Sequence, residues 1–291
     1  MTTKPLCIYH GGCDDGFAAA YAVWRRFGDD VDFHPGVYQT APPDVTGRDV
    51  IMVDFSYKPL VLAEMAESAE TILILDHHKS AAETLCGLPA TPWGDWNPAQ
   101  WSNQAAHEGV PAVFAHFDME ASGAMMAWRY FHKTPAPDFF HYIQDRDLWR
   151  HEFADTFEFS MALRSYPHDL GIWRVLVEGG VKRLVEEGVH IARYYRRQIE
   201  ALKPNAETAV IRGYNVPVCN APYAFASDLA GELAVGHPFA ATYFKRPDGW
   251  QFSLRSRDHG IDVSEVAAAF GGGGHRGAAG FMVDFLDDIV P

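Results

Sequence analysis

Residues Thr71–Ser80 read TILILDHHKS. Thr71 to Leu75 are β-branched or apolar with no charge and no break, the pattern of a buried strand. The run stops at once on Asp76, His77 and His78. A carboxylate and two imidazoles thus stand where a buried strand surfaces. In open α/β sheets that edge, at the carboxyl ends of the strands, is where ligands bind. Carboxylate oxygen and neutral imidazole nitrogen are both metal donors. The competing reading of one such tripeptide is a polar turn that closes a strand.

Two earlier stretches repeat the pattern. Leu6–His10, LCIYH, is a short apolar strand that ends on a histidine. Gly11-Gly12-Cys13-Asp14-Asp15-Gly16 follows it, and Phe17–Phe27 is rich in helix formers. Asp14 and Asp15 therefore lie beside a helix N-terminus, which favours negative charge, and capping is the plain reading of either. Val50–Asp54, VIMVD, is a second strand that ends on an acid, and Leu60–Ala69 is a predicted helix. Strand, helix, strand, helix, strand is the order of a parallel sheet. Such a sheet brings His10, Asp54 and Asp76-His77-His78 to one edge. Gathering that many carboxylates is costly unless a cation compensates, and the pattern predicts metal binding.

The chain has 291 residues, 48% of them hydrophobic, enough for one large domain or two ordinary ones. Its 24 Lys and Arg against 38 Asp and Glu give a formal charge of −14. That balance disfavours long duplex nucleic acid, whose binding rests on neutralised phosphates, but leaves room for a small phosphorylated substrate held by a local cation. The four cysteines, Cys7, Cys13, Cys86 and Cys219, form no CxxC pair and imply neither a disulfide framework nor a thiolate zinc site. The start lacks a signal-peptide apolar region, and no apolar run reaches about 18 residues. A reducing cytoplasm is the expected compartment.

The stretch from Cys86 to about Pro111, with Trp93, Trp96 and Trp101, reads as a loop. Val113–Phe117 is a predicted strand and Ser122 a helix start; His107 and His116 read as structural. His141–Arg150, HYIQDRDLWR, sets Asp145 and Asp147 two residues apart, as a helix-end salt-bridge cluster would. Trp173–Leu202 reads as one or two amphipathic helices, and Lys203-Pro204-Asn205 breaks them at a candidate domain boundary. Beyond it, strands are expected at Ala209–Ile211, Val216–Cys219, Phe239–Phe244 and Trp250–Arg255, with helices at Ser227–Leu233 and Val263–Phe270. Gly271–Gly280 holds six glycines among ten residues, with His275 and Arg276 inside it. Read as a loop, it offers backbone N–H groups and two cations to an anion.

Taken together, these motifs resemble the DHH superfamily of phosphoesterases, in the branch with a DHH-associated C-terminal domain. The residues that carry the resemblance are LDHHKS at Leu75–Ser80, VDFS at Val53–Ser56, DRDLW at Asp145–Trp149 and FGGGGHRGAAGF at Phe270–Phe281. The resemblance implies an α/β fold: a parallel-sheet catalytic domain over 1–170, connecting helices over 171–205, and a smaller α/β substrate-binding domain over 206–291, with the active site in the cleft between. It implies two Mn²⁺ ions, with Mg²⁺ as the other option. His10, Asp15, Asp54, His77 and Asp145 match the metal ligands, with Asp14 a further candidate beside Asp15, Asp54 as the bridge, and Asp147 as the other reading of Asp145. His78 resembles the substrate-contacting histidine, and Asp76 would orient its neighbours. Arg255, Gly273, Gly274, His275 and Arg276 resemble the phosphate-binding part of the second domain. One departure is HGGCDDG, which puts Cys13 where many members carry an acid.

The activity implied is hydrolysis of short oligonucleotides or small nucleotides, as in the oligoribonuclease and small-nucleotide phosphodiesterase members. Pyrophosphate or polyphosphate hydrolysis and a non-catalytic, metal-dependent nucleotide-binding regulator are the alternatives. The partners expected are the nucleotide substrate and, as one assembly state, a homodimer; long duplex and membrane are not expected.

Overall fold

A computed structural model describes residues 3–38, 40–257, 260–286 and 289. The chain divides into two compact units, Met1–Ala192 and Arg193–Pro291, and the division falls within the helix Val181–Leu202. No helix of the described residues is long and apolar enough to cross a membrane.

The first unit is built on a parallel sheet of β1 (Leu6–His10), β2 (Asp32–Gly36), β3 (Asp49–Val53), β4 (Thr71–Asp76) and β5 (Val113–Phe117), in the order β2-β1-β3-β4-β5. Cys7, Ile51, Val53, Leu73 and Leu75 face a core formed with helices Asp14–Phe27, Gly123–Phe131 and Asp138–Asp147. Leu6, Ile8, Val50, Met52, Ile72 and Ile74 face a second core, which includes Leu62, Met65 and Leu85. Alternate residues of one strand thus enter opposite cores. Both faces are buried, so the strands are apolar without alternation. The chain leaves β1 toward β2 on one side and crosses to β3 on the other. The crevice between β1 and β3 is therefore the switch point of the sheet, where α/β proteins bind ligands. His10 ends β1, and Asp54 follows β3.

Two features of this unit differ from the sequence reading. Strand β2, DFHPG, escapes it because an edge strand with a proline and three polar or glycine positions lacks the apolar run. Part of the expected Trp-rich loop is the helix Pro98–Glu108. Asn97 caps it by accepting from the Gln100 amide, and Gly109 closes it at φ 68°. Of the one or two helices expected over 173–202 there are two, Leu170–Gly179 and Val181–Leu202, separated by Gly180 at φ 79°.

The second unit holds a six-stranded sheet: β6 (Glu207–Ile211), β7 (Tyr214–Asn220), β8 (Ala240–Arg246), β9 (Gly249–Arg255), β10 (Gly273–His275) and β11 (Ala278–Val283), in the order β10-β11-β9-β8-β7-β6. Only β7 and β8 pair in parallel. Gly271–Gly280 is thus no open loop. Gly273, Gly274 and His275 pair with Gly280, Ala279 and Ala278. The glycines serve close backbone contact: a Cβ on Gly272 would fall 2.1 Å from the Gly280 carbonyl oxygen. In this unit Arg255 donates from Nε and Nη2 to Ser227 Oγ, at 3.1 and 2.9 Å, and Arg276 donates to the Gly260 carbonyl at 3.1 Å.

Candidate metal centre

The switch point gathers six ligand-type side chains into two adjoining groups. His10, Asp54 and His78 form one, and Asp15, His77 and Asp147 the other; within each, the donor atoms lie within 4.8 Å of one another. Asp54 joins them. Its Oδ1 is 2.9 Å from His77 Nε2, and its Oδ2 is 3.5 Å from His10 Nδ1. His77 Nε2 is also 3.6 Å from Asp15 Oδ2 and 3.5 Å from Asp147 Oδ2.

Local chain geometry sets each side chain. β3 ends at Val53, and Asp54 turns out of the sheet at φ 56° while its amide donates to the Leu75 carbonyl at 2.9 Å. That left-handed conformation is uncommon for a residue with a Cβ, and Asp tolerates it better than most. The N-terminus of helix Gly123–Phe131 abuts Asp54 so closely that a Cβ on Gly123 would lie 2.4 Å from the Asp54 Cβ. Ser122 caps this helix, and the Ala124 amide donates to Asp15 Oδ1 at 3.2 Å. Asp15 itself lies in the first turn of helix Asp14–Phe27. Two helix N-termini thus favour the negative charge collected here.

Asp76 lies behind this centre. It accepts from Ser56 Oγ at 2.8 Å, from the His77 and His78 amides at 2.8 and 3.2 Å, and from His78 Nδ1 at 2.7 Å. Burial pushes its carboxyl up, but the charge and hydrogen bond of His78 outweigh that and hold it below the usual range. In return, Asp76 raises the proton affinity of His78 against the effect of burial.

The electrostatics are those of a cation site. Burial first, then the charges of Asp54 and Asp147, push the Asp15 carboxyl well up. Burial likewise raises Asp147. Burial opposes the ionisation of Asp54 too, yet the imidazoles of His10 and His77 beside it hold it well below the ordinary value. His77 resists burial because Asp54, Asp147 and Asp15 surround it, and its pKa rises to about 10. Four buried atoms, Asp15 Oδ2, Asp54 Oδ2, Asp147 Oδ2 and His10 Nδ1, make no hydrogen bond to any described residue. Buried polar atoms are rarely left so, and three carboxylate oxygens converging with an imidazole nitrogen fit divalent metal.

Two expected ligands lie outside these groups. Asp145 accepts from the Glu152 amide at 2.8 Å, the Phe153 amide at 3.3 Å and the Thr156 hydroxyl, so it ties down the segment after its helix. Asp147 takes the position at the centre. Asp14 points elsewhere: its Oδ1 is 3.2 Å from His168 Nε2, and its Oδ2 accepts from Arg164 Nε at 3.4 Å. His78, read from the sequence as a substrate contact, groups with His10 and Asp54. Cys13 precedes helix Asp14–Phe27, and burial together with the charges of Asp54, Asp147 and Asp15 pushes its thiol well up, away from the thiolate form a metal takes.

A metal that binds His77 displaces its proton. Metal affinity of the metal-free protein is therefore expected to rise with pH between the ordinary histidine value near ~6.5 and the His77 value of about 10. One displaced proton gives about tenfold per pH unit in that window. Over the same window the protonated His77 ceases to stabilise the metal-free fold, so thermal stability without metal falls as affinity grows. Calorimetric Mn²⁺ titrations at three pH values check both the slope and the proton release; a flat profile would remove His77 from the ligand set.

No family model matches the chain. An uncharacterized protein of Acanthamoeba polyphaga mimivirus is 29% identical over 98% of this chain and 69% of its own length. Among solved structures, a DHH-domain protein described as a member of the s1p family of ribosomal proteins superposes with a TM-score of 0.56. It is 14% identical and covers 96% of this chain and 83% of its own. This is the DHH-domain fold. RecJ of Thermus thermophilus in complex with Mn²⁺ matches at a TM-score of 0.48, with 15% identity over 97% of this chain and 50% of its own. The DHH fold accounts for the placement of the triplet Asp76-His77-His78 at the end of β4, beside the ends of β1 and β3.

Proposed function

We propose that this protein is a metal-dependent phosphoesterase that hydrolyses the phosphodiester bonds of short oligonucleotides or small nucleotides. The observation that carries the reading is the pair of ligand groups joined by Asp54, with three buried carboxylate oxygens lacking hydrogen-bond partners among the described residues. Asp15, Asp54, His77 and Asp147 would hold one cation, and His10, Asp54 and His78 the other. Oxygen and imidazole donors without a thiolate set suit Mn²⁺ or Mg²⁺. A cation pair supplies phosphoryl charge neutralisation and activation of water.

The chain's own residues do the rest. Asp54 keeps its negative charge between the two groups, where it fixes their spacing. Asp76 holds the His78 ring by Nδ1 and so orients it, which leaves Nε2 as the nitrogen that would meet the cation. In the second unit, Arg255, His275 and Arg276 are the cationic candidates for a substrate phosphate.

The test is a substrate panel with Mn²⁺ and with Mg²⁺. It covers dinucleotides to about ten-mers, the upper length lying within the roughly 4–16 nucleotides one OB fold binds, together with cyclic nucleotides and pyrophosphate. Turnover of the shortest substrates is expected. Chelation should abolish it without changing the circular dichroism spectrum, since a core of this size does not need metal to fold. Activity that survives exhaustive chelation would end the metal reading, and turnover of pyrophosphate alone would move the substrate to polyphosphates.

A further inference from the structure

The aromatic residue next to the metal centre carries an inference about what the substrate must contain. Strand β2 lies beside β1 with Gly36 opposite His10, and the Gly11 amide donates to the Gly36 carbonyl at 2.8 Å. The chain that leaves β2 therefore emerges at the ligand edge, and Tyr38 is its second residue. The Tyr38 ring packs on Phe55 at 4.8 Å between centroids, with the planes tilted by 36°. It meets His10 edge-on at 5.3 Å and His78 edge-on at 6.1 Å. Phe55 is fully buried, and Tyr57 backs it at 4.9 Å.

Tyr38 is nevertheless 45% exposed. Three aromatic neighbours restrain a large ring, yet the residue stays exposed within one ring contact of two proposed metal ligands. Held in this way, the ring is ready to stack on a planar group with little further loss of freedom. A nucleobase is such a group, whereas a polyphosphate offers nothing flat. We propose that Tyr38 is a base-stacking residue, so that the centre selects phosphate esters carrying a nucleobase over phosphates without one. This deepens the proposed phosphodiesterase reading and rests on it for the position of the phosphate. Stacking accepts every base, so discrimination among the four is expected to be weak.

The experiment needs no turnover. Binding of AMP and of ribose 5-phosphate to the Mn²⁺-loaded protein is measured by competition in wild type, Tyr38→Phe and Tyr38→Ala. Wild type and Tyr38→Phe are expected to hold AMP about tenfold more tightly than ribose 5-phosphate, within the range of one aromatic stack. In Tyr38→Ala that preference should vanish while ribose 5-phosphate binds as before. An AMP preference that survives in Tyr38→Ala, or is absent from wild type, overturns the proposal. If Tyr38→Ala weakens both ligands equally, the ring serves the metal centre and not the base, which also overturns it. Failure of the hydrolase reading looks different: the AMP preference follows Tyr38, but no phosphodiester is cleaved.

Discussion

Asp54→Asn is expected to abolish turnover, by about 10³-fold or more, in a protein that still folds. That loss corresponds to roughly 4 kcal/mol of transition-state stabilisation. Asparagine is the informative substitution because Asp54 sits at φ 56°, a conformation asparagine shares and alanine does not. Asp54 Oδ2 makes no hydrogen bond to a described residue, so an amide there breaks none. The change removes one negative charge from a cluster that also contains Asp15 and Asp147. Because the imidazoles of His10 and His77 hold the Asp54 carboxyl below its ordinary value, its charge favours the metal-free fold, and the melting temperature should fall while the protein still folds. The His77 pKa should fall from about 10, because the hydrogen bond that His77 Nε2 donates to Asp54 is the largest influence raising it. The checks are kcat/KM with metal, melting without metal, and NMR titration of the His77 ring. Near-wild-type turnover by metal-loaded Asp54→Asn would remove the bridging role.

The parts of the centre that were legible in the sequence share one physical origin. A strand buried on both faces must be apolar throughout, so its end is marked by the first charged residue. His10, Asp54 and Asp76 are those residues, and parallel pairing brings them together. Nothing comparable marks Tyr38, which follows an edge strand of mixed character. The glycine run was visible but its use was not. Free backbone conformation and close strand packing leave the same composition, and the contact of Gly272 with the Gly280 carbonyl decides between them. Helix Pro98–Glu108 had its signals in place, an Asn cap, a proline at the first position and a terminal glycine, but three tryptophans and several prolines around it suggested a loop.

Asp145 and Asp147 are the case in which sequence offered two residues and physics permits one. Both lie in the last turn of helix Asp138–Asp147, and two residues apart on a helix means about 200° of rotation. They must face opposite ways. Trp149 and His151, at φ 55° and 53°, turn the chain back so that the Glu152 and Phe153 amides and the Thr156 hydroxyl meet Asp145. Asp147 is then left facing His77. Alanine at each position should separate the roles. Asp145→Ala strands the buried Thr156 hydroxyl, at about 1–3 kcal/mol for a buried group left unsatisfied, and two half-buried amides that water can reach at smaller cost. Its melting temperature should drop by roughly 5–15 °C for a unit of this size, with the Mn²⁺ stoichiometry of the folded fraction intact. Asp147→Ala removes a carboxylate oxygen with no hydrogen-bond partner among the described residues, from a helix where alanine is favourable. Its metal-free stability should be unchanged or higher, while Mn²⁺ binding weakens by about 10- to 100-fold, on the scale of a lost metal-site residue. Calorimetry and metal titration on the two purified variants decide the assignment. The opposite pattern, with metal lost in Asp145→Ala and stability lost in Asp147→Ala, would return Asp145 to the centre.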